Sequence, residues 1–221
     1  QRLMCIRDSI ICGGGSAGCV LANRLSAKSA NRVALFEAGK DTPPERVPKD
    51  VLDSYPIVAY FNPDFQWTSL KVHLQPRSEN APRTPPTRHY EQGRIMGGGS
   101  SINAQLANRG APGDYDEWAE MGAEGWNWDS VLPFFKKLER DMDFDGPYHG
   151  KEGPLSIRRI FPDRWSGYAT AAAEAFKLKG YEYLADQNAE FKDGYFPITI
   201  SNLYDRRVSA CLLYTSDAAD E

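Results

Sequence analysis

The sequence predicts an α/β fold, because two short apolar segments flank a glycine turn and a helical pattern near the N-terminus. Residues 10–12 indicate the end of a buried strand, and residues 32–36 indicate a second strand. Between them, apolar residues recur at helical spacing from residue 16 to about residue 27. Strand, glycine turn, helix and strand within roughly thirty residues are typical of a βαβ unit.

The chain downstream of this unit predicts a long irregular excursion and then mainly helices. Residues 40–92 are rich in proline and polar groups with weak periodicity, which is typical of a functional loop or one that packs over a ligand. Asp114, with Glu117 three residues later, predicts a capped helix start, and Asp129 could cap the next helix. Residues 153–157 predict a strand. Residues 166–179 predict a helix that a glycine stops.

Composition and charge exclude several classes of protein. A hydrophobic content of 41% and a charged content of 25% are typical of a globular chain, and a net charge of −4 argues against a nucleic-acid partner. No apolar run is long enough for a membrane span or a signal peptide, so a cytoplasmic location is predicted. The cysteines lack metal-ligand spacing, so no metal site is expected, and Cys12 and Cys19 are predicted to be small core residues.

The glycine turn after the first strand satisfies the pattern G-x-G-x-x-G. Gly13 permits a tight turn, Gly15 lets backbone approach a pyrophosphate, and Gly18 lets the helix pack against the strand. The helix N-terminus favours phosphate groups. Glu37 ends the second strand, where its carboxylate can bind ribose hydroxyls and disfavours a 2′-phosphate. These residues predict a dinucleotide site and leave FAD and NAD open.

A second glycine-rich segment, residues 93–103 (GRIMGGGSSIN), points to one family. Read alone it could be a flexible loop, but it resembles the first signature of the glucose–methanol–choline oxidoreductases and continues through residues 104–116. Met96 stands where the signature usually has a branched aliphatic residue, which is a conservative change in volume. The resemblance extends to four other segments: residues 10–26, 36–39, 63–70 and 153–157.

The resemblance implies a Rossmann-like FAD-binding domain followed by the beginning of an α+β substrate domain with an antiparallel sheet. Residues 10–155 would be mainly the FAD-binding domain, and residues 156–210 the start of the substrate domain with intervening helices. Residues 1–9 and 211–221 fit no neighbouring element and resemble translated sequencing-adapter sequence, so both ends are expected to be non-native.

The resemblance further implies a choline-dehydrogenase-like enzyme that oxidises a small alcohol. A hydride would pass from the alcohol carbon to flavin N5 while a histidine takes the hydroxyl proton. The alcohol stays open, as does the choice between oxidase and dehydrogenase. Two alternatives remain: another FAD- or NAD-binding oxidoreductase with the same βαβ start, or a truncated product with no independent activity.

The resemblance assigns cofactor-binding residues by position. Besides Gly13, Gly15 and Gly18, the ADP part would be held by Ser16, Ala17, Glu37 and Ala38. The flavin end would be lined by Ile95, Gly97, Gly98, Ser100 and Asn103. Trp67 is either a further FAD contact or a core aromatic residue.

The catalytic residues are expected beyond the C-terminus of this chain, because the family's catalytic histidine lies in a C-terminal motif. His73, His89 and His149 lie outside that motif, and each is predicted to be a surface residue. Asp186 and Asn188 resemble a stretch near the substrate side, but a surface turn is the favoured interpretation. FAD is expected to be non-covalent, because Ile102 aligns with the histidine that links the flavin in some members.

Overall fold

The computed structural model describes residues 8–75 and 85–215, and the chain divides into two compact units. The first unit runs to Ala104 and takes in the residues from Ser209 onward, whereas the second is Gln105–Val208. The boundary between the two units therefore lies between residues 104 and 105. The sequence-based boundary between cofactor and substrate domains, at residues 155 and 156, stays a prediction.

The first unit opens with the predicted βαβ arrangement. Strand β1 (Ser9–Cys12) pairs in parallel with β2 (Val33–Phe36), and helix α1 (Ser16–Ser26) connects them. A Cβ atom at Gly18 would overlap the carbonyl oxygen of Gly13. The glycine therefore allows α1 to start directly beside the turn that follows β1.

The predicted irregular excursion contains several short elements. Proline stands at the start of the 3₁₀ helices Pro44–Arg46 and Pro63–Phe65, where its missing N–H costs no hydrogen bond. The other elements are α2 (Lys49–Leu52), α3 (Ile57–Phe61) and the antiparallel strands β3 (Lys71–His73) and β4 (Thr87–His89). Residues 76–84 of the excursion lie outside the described residues.

The buried core of the first unit joins the excursion to the second glycine segment. Val51, Phe65, Ile95 and Ile102 pack together, and Ile102 ends helix α4 (Gly99–Ile102). The excursion therefore belongs to the packed body of the unit.

The cysteine prediction is confirmed for Cys19 and wrong for Cys12. Cys19 is buried with Cys211, which lies on helix α8 (Ala210–Thr215). Cys12 is exposed, because it ends β1 beside an open cavity. The interpretation of residues 211–221 as a non-native end stays a prediction.

The second unit contains a four-stranded sheet in the order β5-β6-β7-β8. Only the first pair is parallel, so the sheet is mainly antiparallel. The strands are β5 (Glu139–Asp141), β6 (Leu155–Ile160), β7 (Ile198–Leu203) and β8 (Arg206–Arg207). The predicted strand at residues 153–157 overlaps β6, which starts two residues later than predicted.

Three helices accompany this sheet: α5 (Pro112–Glu120), α6 (Trp128–Leu138) and α7 (Gly167–Leu178), with a 3₁₀ helix at Pro162–Arg164. The caps predicted for α5 and α6 are wrong by three and two positions, because the observed N-caps are Ala111 and Asn127. Asp114 lies in the first turn of α5 and accepts a hydrogen bond from the backbone N–H of Ala111. Asp129 lies inside α6, after the cap Asn127. Among the residues described, no helix is long and apolar enough to cross a bilayer.

Candidate functional site

A cavity of about 870 Å³ opens in the first unit where β1 and β2 end. Ligands of open α/β sheets bind at the carboxyl ends of parallel strands, and the volume falls in the range of small-molecule sites. The lining residues are Ile11, Cys12, Gly13, Gly15, Ser16, Ala17, Gly18, Leu21, Phe36, Glu37, Ala38, Trp67, Gln92, Gly93, Gly98 and Gly99.

The turn between β1 and α1 exposes backbone to this cavity. Gly13 has a φ of +98°, which favours glycine, and its N–H donates to the carbonyl oxygen of Phe36 at 2.7 Å. Gly15 is the N-cap of α1, and as a glycine it has no side chain that could bind the first N–H groups of the helix. A Cβ atom at either Gly13 or Gly15 would meet nothing within 4 Å. A ligand can therefore reach the backbone N–H groups at the start of α1, where the helix favours negative charge.

Glu37 is fixed at the cavity wall by two backbone hydrogen bonds. Its carboxylate accepts from the N–H of Gly14 at 2.7 Å and from the N–H of Gly39 at 2.7 Å. A carboxylate has about four acceptor positions, so about two remain for a ligand. The side chain is therefore oriented before any ligand binds.

The second glycine turn contacts the first one directly. The N–H of Gly97 donates to the carbonyl oxygen of Gly14 at 2.6 Å, and a Cβ atom at Gly98 would lie 2.8 Å from the Cα of Gly15. Gly97 and Gly98 both have positive φ angles, of 87° and 53°. The hydroxyl of Ser100 donates to the carbonyl oxygen of Gly97 at 2.6 Å. The two segments that the sequence singles out thus form one wall.

Most of the predicted cofactor residues line the cavity, namely Gly13, Gly15, Ser16, Ala17, Gly18, Glu37, Ala38, Trp67 and Gly98. The others do not: Ile95 and Gly97 are buried, Ser100 supports the second turn, and Asn103 lies at the end of α4. Sequence reasoning missed Ile11, Cys12, Leu21, Phe36, Gln92, Gly93 and Gly99. Gly93 and Gly99 lie inside the quoted signature, which was the signal available. The role of each residue in cofactor binding stays a prediction.

A second polar site, in the second unit, contradicts the prediction that His149 lies at the surface. His149 is 6% exposed. Its Nδ1 lies 2.9 Å from Asp141 Oδ2 and 3.5 Å from Glu139 Oε1, and its Nε2 lies 2.7 Å from Asp186 Oδ2. Three carboxylates therefore surround one imidazole.

Two arginines balance these carboxylates. Arg159 donates to both oxygens of Asp141, at 2.6 and 2.7 Å, and to Asp186 Oδ1 at 2.7 Å. Arg109 lies 2.5 Å from Glu139. We call these six residues the His149 cluster: Arg109, Glu139, Asp141, His149, Arg159 and Asp186. With a protonated imidazole, three positive charges face three negative ones.

The surface position predicted for Asp186 and Asn188 is also wrong, although residues 187–189 do form a turn. Asn188 is fully buried, accepts a hydrogen bond from the N–H of Arg109 at 3.0 Å and donates to the carbonyl oxygen of Ala107 at 3.1 Å. Asp186 is buried because Arg159 and His149 compensate its charge. Both residues therefore hold the second unit together.

The electrostatics of the His149 cluster favour the charged forms. Burial alone would lower the pKa of His149, but hydrogen bonds to Asp141, Asp186 and Glu139 outweigh it and raise the pKa to about 10. Burial alone would raise the pKa of Asp141, but His149 and Arg159 hold it well below its ordinary value. The pKa values of Glu139 and Asp186 are lowered in the same way.

Three members of this cluster could be considered as metal ligands. One ligand atom each from Glu139, Asp141 and His149 lies within 4.8 Å of the others. Arg109 and Arg159 already neutralise the carboxylates, however, and a divalent cation would face both guanidinium groups. We therefore assign the cluster as an ion-pair network.

None of the three histidines of the chain lines the cavity. His73 and His89 are exposed, as predicted, and His89 Nε2 lies 3.1 Å from Gln66 Oε1. The cavity can hold a dinucleotide with its glycine turns and Glu37, but no imidazole is placed there to take a proton.

Comparisons with known proteins agree with this geometry. A family model described as GMC oxidoreductase matches residues 7–216. The 5-(hydroxymethyl)furfural oxidase of Methylovorus sp. (strain MP688) is 46% identical over 95% of this chain and 40% of its own length. The oxygen-dependent choline dehydrogenase of Vibrio vulnificus (strain YJ016) is 34% identical over 96% of this chain and 36% of its own.

A solved structure shows the same fold. The crystal structure of pyridoxine 4-oxidase from Mesorbium loti matches with a TM-score of 0.79 and 32% identity, over 95% of this chain and 39% of that one. The chain thus spans about 40% of the length of the curated relatives that it matches.

Proposed function

Since the chain belongs to the GMC oxidoreductase family, we propose that it is the FAD-binding part of an enzyme that oxidises alcohols. One observation carries the proposal: the two glycine turns contact each other at Gly97 and Gly14 and, with Glu37, wall one cavity of dinucleotide-site character. An isolated glycine fingerprint would be weak support. Two turns from distant segments that meet in one wall are much stronger.

The residues present fit an ADP group. The turn from Gly13 to Gly18 has room for a pyrophosphate, because the Cβ positions of Gly13 and Gly15 are open and α1 carries no side-chain cap. Glu37 keeps free acceptor positions for two ribose hydroxyls. Ser16, Ala17 and Ala38 complete this part of the wall.

The flavin end is proposed to lie against the second glycine turn. Trp67 and Gly98 line the cavity, whereas Ile95, Gly97, Ser100 and Asn103 would act by shaping the turn behind them. When bound, FAD supplies a flavin N5 that accepts a hydride from the alcohol carbon. This chain's own residues bind and orient the cofactor.

The proton acceptor is proposed to be a histidine outside this chain, in a region that corresponds to the part of the relatives that this chain does not cover. His73, His89 and His149 are unsuited, because two are exposed away from the cavity and the third is bound by three carboxylates. In this proposal the cavity of the chain supplies the cofactor-binding part of a two-part active site.

The substrate is proposed to be a small alcohol. The names of the two relatives favour 5-(hydroxymethyl)furfural as the first alcohol to test on the whole protein, with choline as the second. One name says oxidase and the other says oxygen-dependent, which favours oxygen over a quinone or carrier as the electron acceptor.

FAD is proposed to bind without a covalent bond. Ile102 is 3% exposed and packs in the core with Val51, Phe65 and Ile95, and its side chain has no nucleophilic atom. The flavin should therefore leave the protein when the fold is lost.

The test is to titrate the purified chain with FAD and follow the flavin fluorescence, with FMN as the control that lacks the ADP group. We expect FAD to bind and FMN to bind much more weakly. The loaded protein is then precipitated with acid, and the yellow colour should stay in the supernatant. Absence of FAD binding would overturn the cofactor assignment, and a yellow pellet would overturn the non-covalent one.

A further inference from the structure

Trp67 forms a part of the cavity wall, and backbone hydrogen bonds hold its main chain in place. Its N–H donates to the carbonyl oxygen of Gln92 at 3.0 Å, and Gln66 pairs with Gly93 in an antiparallel bridge. The residue is 39% exposed and lines the cavity. The indole therefore needs a partner to keep one orientation.

Arg94 provides that partner. Its guanidinium carbon lies 5.1 Å from the centroid of the Trp67 ring, within cation–π distance. The backbone of Arg94 is fixed, because its N–H donates to the carbonyl oxygen of Phe65 at 2.7 Å. The arginine thus stands on a rigid segment with its planar group over the indole.

Arg94 carries its positive charge beside Gly93, which lines the cavity. Within residues 8–75 and 85–215, no ion pair involves Arg94, whereas the nearby Lys40 pairs with Asp64 at 2.9 Å. The residues that line the cavity include no lysine or arginine. Arg94 is therefore available to the indole, and a guanidinium stacks on an aromatic face better than an ammonium does.

We propose that Arg94 is a positioning residue of the cofactor site, which holds the Trp67 indole as a preformed wall against the ring system of the bound cofactor. The inference rests on the proposed function, because it needs FAD to occupy the cavity. A ring that is held before binding loses less conformational entropy when the ligand arrives. Arg94 would then contribute to affinity without touching the cofactor.

A double-mutant cycle on FAD affinity tests this role. Arg94→Met removes the charge and keeps most of the volume, so FAD should bind about two- to fivefold more weakly, the range for an exposed cation–π contact. In a Trp67→Leu background, the same substitution should change FAD affinity by less than about 1.5-fold, because the partner is gone. Arg94→Lys should recover part of the loss. Arg46→Met, an exposed arginine elsewhere in the first unit, is the matched control and should have no effect.

ADP serves as a second ligand, because the turn at residues 13–18 and Glu37 bind it without help from the Arg94 side chain. The ADP affinity of Arg94→Met should equal that of the unchanged chain, which also shows that the variant is folded. Equal losses of FAD affinity with and without Trp67 would mean that Arg94 acts on the cofactor directly, and would overturn the inference. Loss of ADP affinity would overturn it as well. Failure of the unchanged chain to bind FAD would instead overturn the proposed function.

Discussion

At the scale of single residues, Glu37 has two roles that can be separated by experiment. It binds the N–H groups of Gly14 and Gly39, and it is proposed to bind the ribose. Glu37→Gln would turn an NH₂ group toward one of these N–H donors. We expect FAD binding to weaken by about 1.5–3 kcal/mol, the scale of a hydrogen bond to a charged group.

Two measurements separate these roles of Glu37. Titration of FAD gives the loss of binding, and chemical unfolding without FAD gives the loss of turn stability. Glu45→Gln, an exposed acid in the Pro44–Arg46 3₁₀ helix, is the control. If Glu37→Gln lowered apo stability but left FAD affinity unchanged, the carboxylate would be purely structural and the ribose assignment would be wrong.

His149 makes the second unit sensitive to alkaline pH. Its pKa is about 10 in the folded chain against an ordinary value of 6.5, so the folded state binds this proton more tightly. The stabilisation is fully present below about pH 6.5, declines as the pH rises, and is lost once the pH passes about 10. We expect the free energy of unfolding to fall across this window by up to a few kcal/mol.

Replacement of the imidazole tests this pH dependence. His149→Gln should destabilise the chain at pH 7 by about 3–5 kcal/mol, because it breaks a buried charge network. It should also flatten the decline between pH 6.5 and 10. His73→Gln, at an exposed position on β3, should leave the profile unchanged. Parallel profiles for His149→Gln and the unchanged chain would show that His149 does not carry the effect.

Glu37 and His149 also show which kinds of residue can be predicted from the sequence and which cannot. Glu37 could be predicted as a cavity residue because its position follows from a local distance, from a glycine turn to the end of the next strand. The partners of His149 lie on β5 and near residue 186, and only the folding of the second unit brings them together. Nothing in the neighbouring sequence, Tyr148 and Gly150, signals a buried charge.

At the scale of secondary-structure elements, the packing of α1 against β1 depends on one glycine. A Cβ atom at Gly18 would overlap the Gly13 carbonyl oxygen, which is backbone and cannot rotate away. We expect Gly18→Ala to displace the start of α1 and to destabilise the first unit by about 1–3 kcal/mol, the usual cost of overpacking. FAD affinity should fall with it, because the turn that is proposed to bind the phosphates moves.

Gly113→Ala is the matched control. Gly113 lies in the first turn of α5, and a Cβ atom there would meet nothing within 4 Å. The substitution should be neutral or stabilising by up to about 1 kcal/mol, because alanine is the better helix former. Unfolding by urea measures both variants. A Gly18→Ala chain as stable as the unchanged one would show that α1 can move without cost.

Elements were easier to predict than their ends. The βαβ unit, the strand at residue 155 and helix α7 follow from periodicity, and Ser166 and Gly180 bound α7 as expected. The start of α5 was placed two residues late, because Pro112 opens the helix and Asp114 caps it from within the first turn. Aspartate occurs both at the N-cap of helices and three residues after the N-cap, where its side chain accepts from the N-cap N–H. Sequence alone therefore does not separate these two positions.

At the scale of the whole molecule, the structure of the first unit was easier to predict from the sequence than that of the second. The first unit contains two recognisable glycine turns, and no sequence motif of that kind marks the contacts of the second. Segments 13–18 and 97–99 are far apart in sequence, yet the glycines of each predict a turn, and the structure brings the two turns into contact at Gly14 and Gly97. The second unit is held by a mainly antiparallel sheet and by the His149 cluster, whose ion pairs join residues between 8 positions apart, as in His149–Asp141, and 37 positions apart, as in His149–Asp186. Its general α+β character was predictable, but its charged interior was not.

The last prediction concerns the activity of the chain by itself, and it rests on the proposal that this chain binds the cofactor but does not supply the proton acceptor. No histidine lines the cavity, and the chain spans about 40% of the length of its curated relatives. A positioned general base contributes about 10²–10⁴-fold to such reactions. The FAD-loaded chain should therefore reduce a redox dye with 5-(hydroxymethyl)furfural, choline or benzyl alcohol no faster than free FAD does. Photoreduction of the bound flavin is the control, because it shows that the cofactor can accept electrons.

Dye reduction well above the free-FAD rate that depends on the alcohol concentration would contradict this prediction. It would mean that this chain already contains a complete active site.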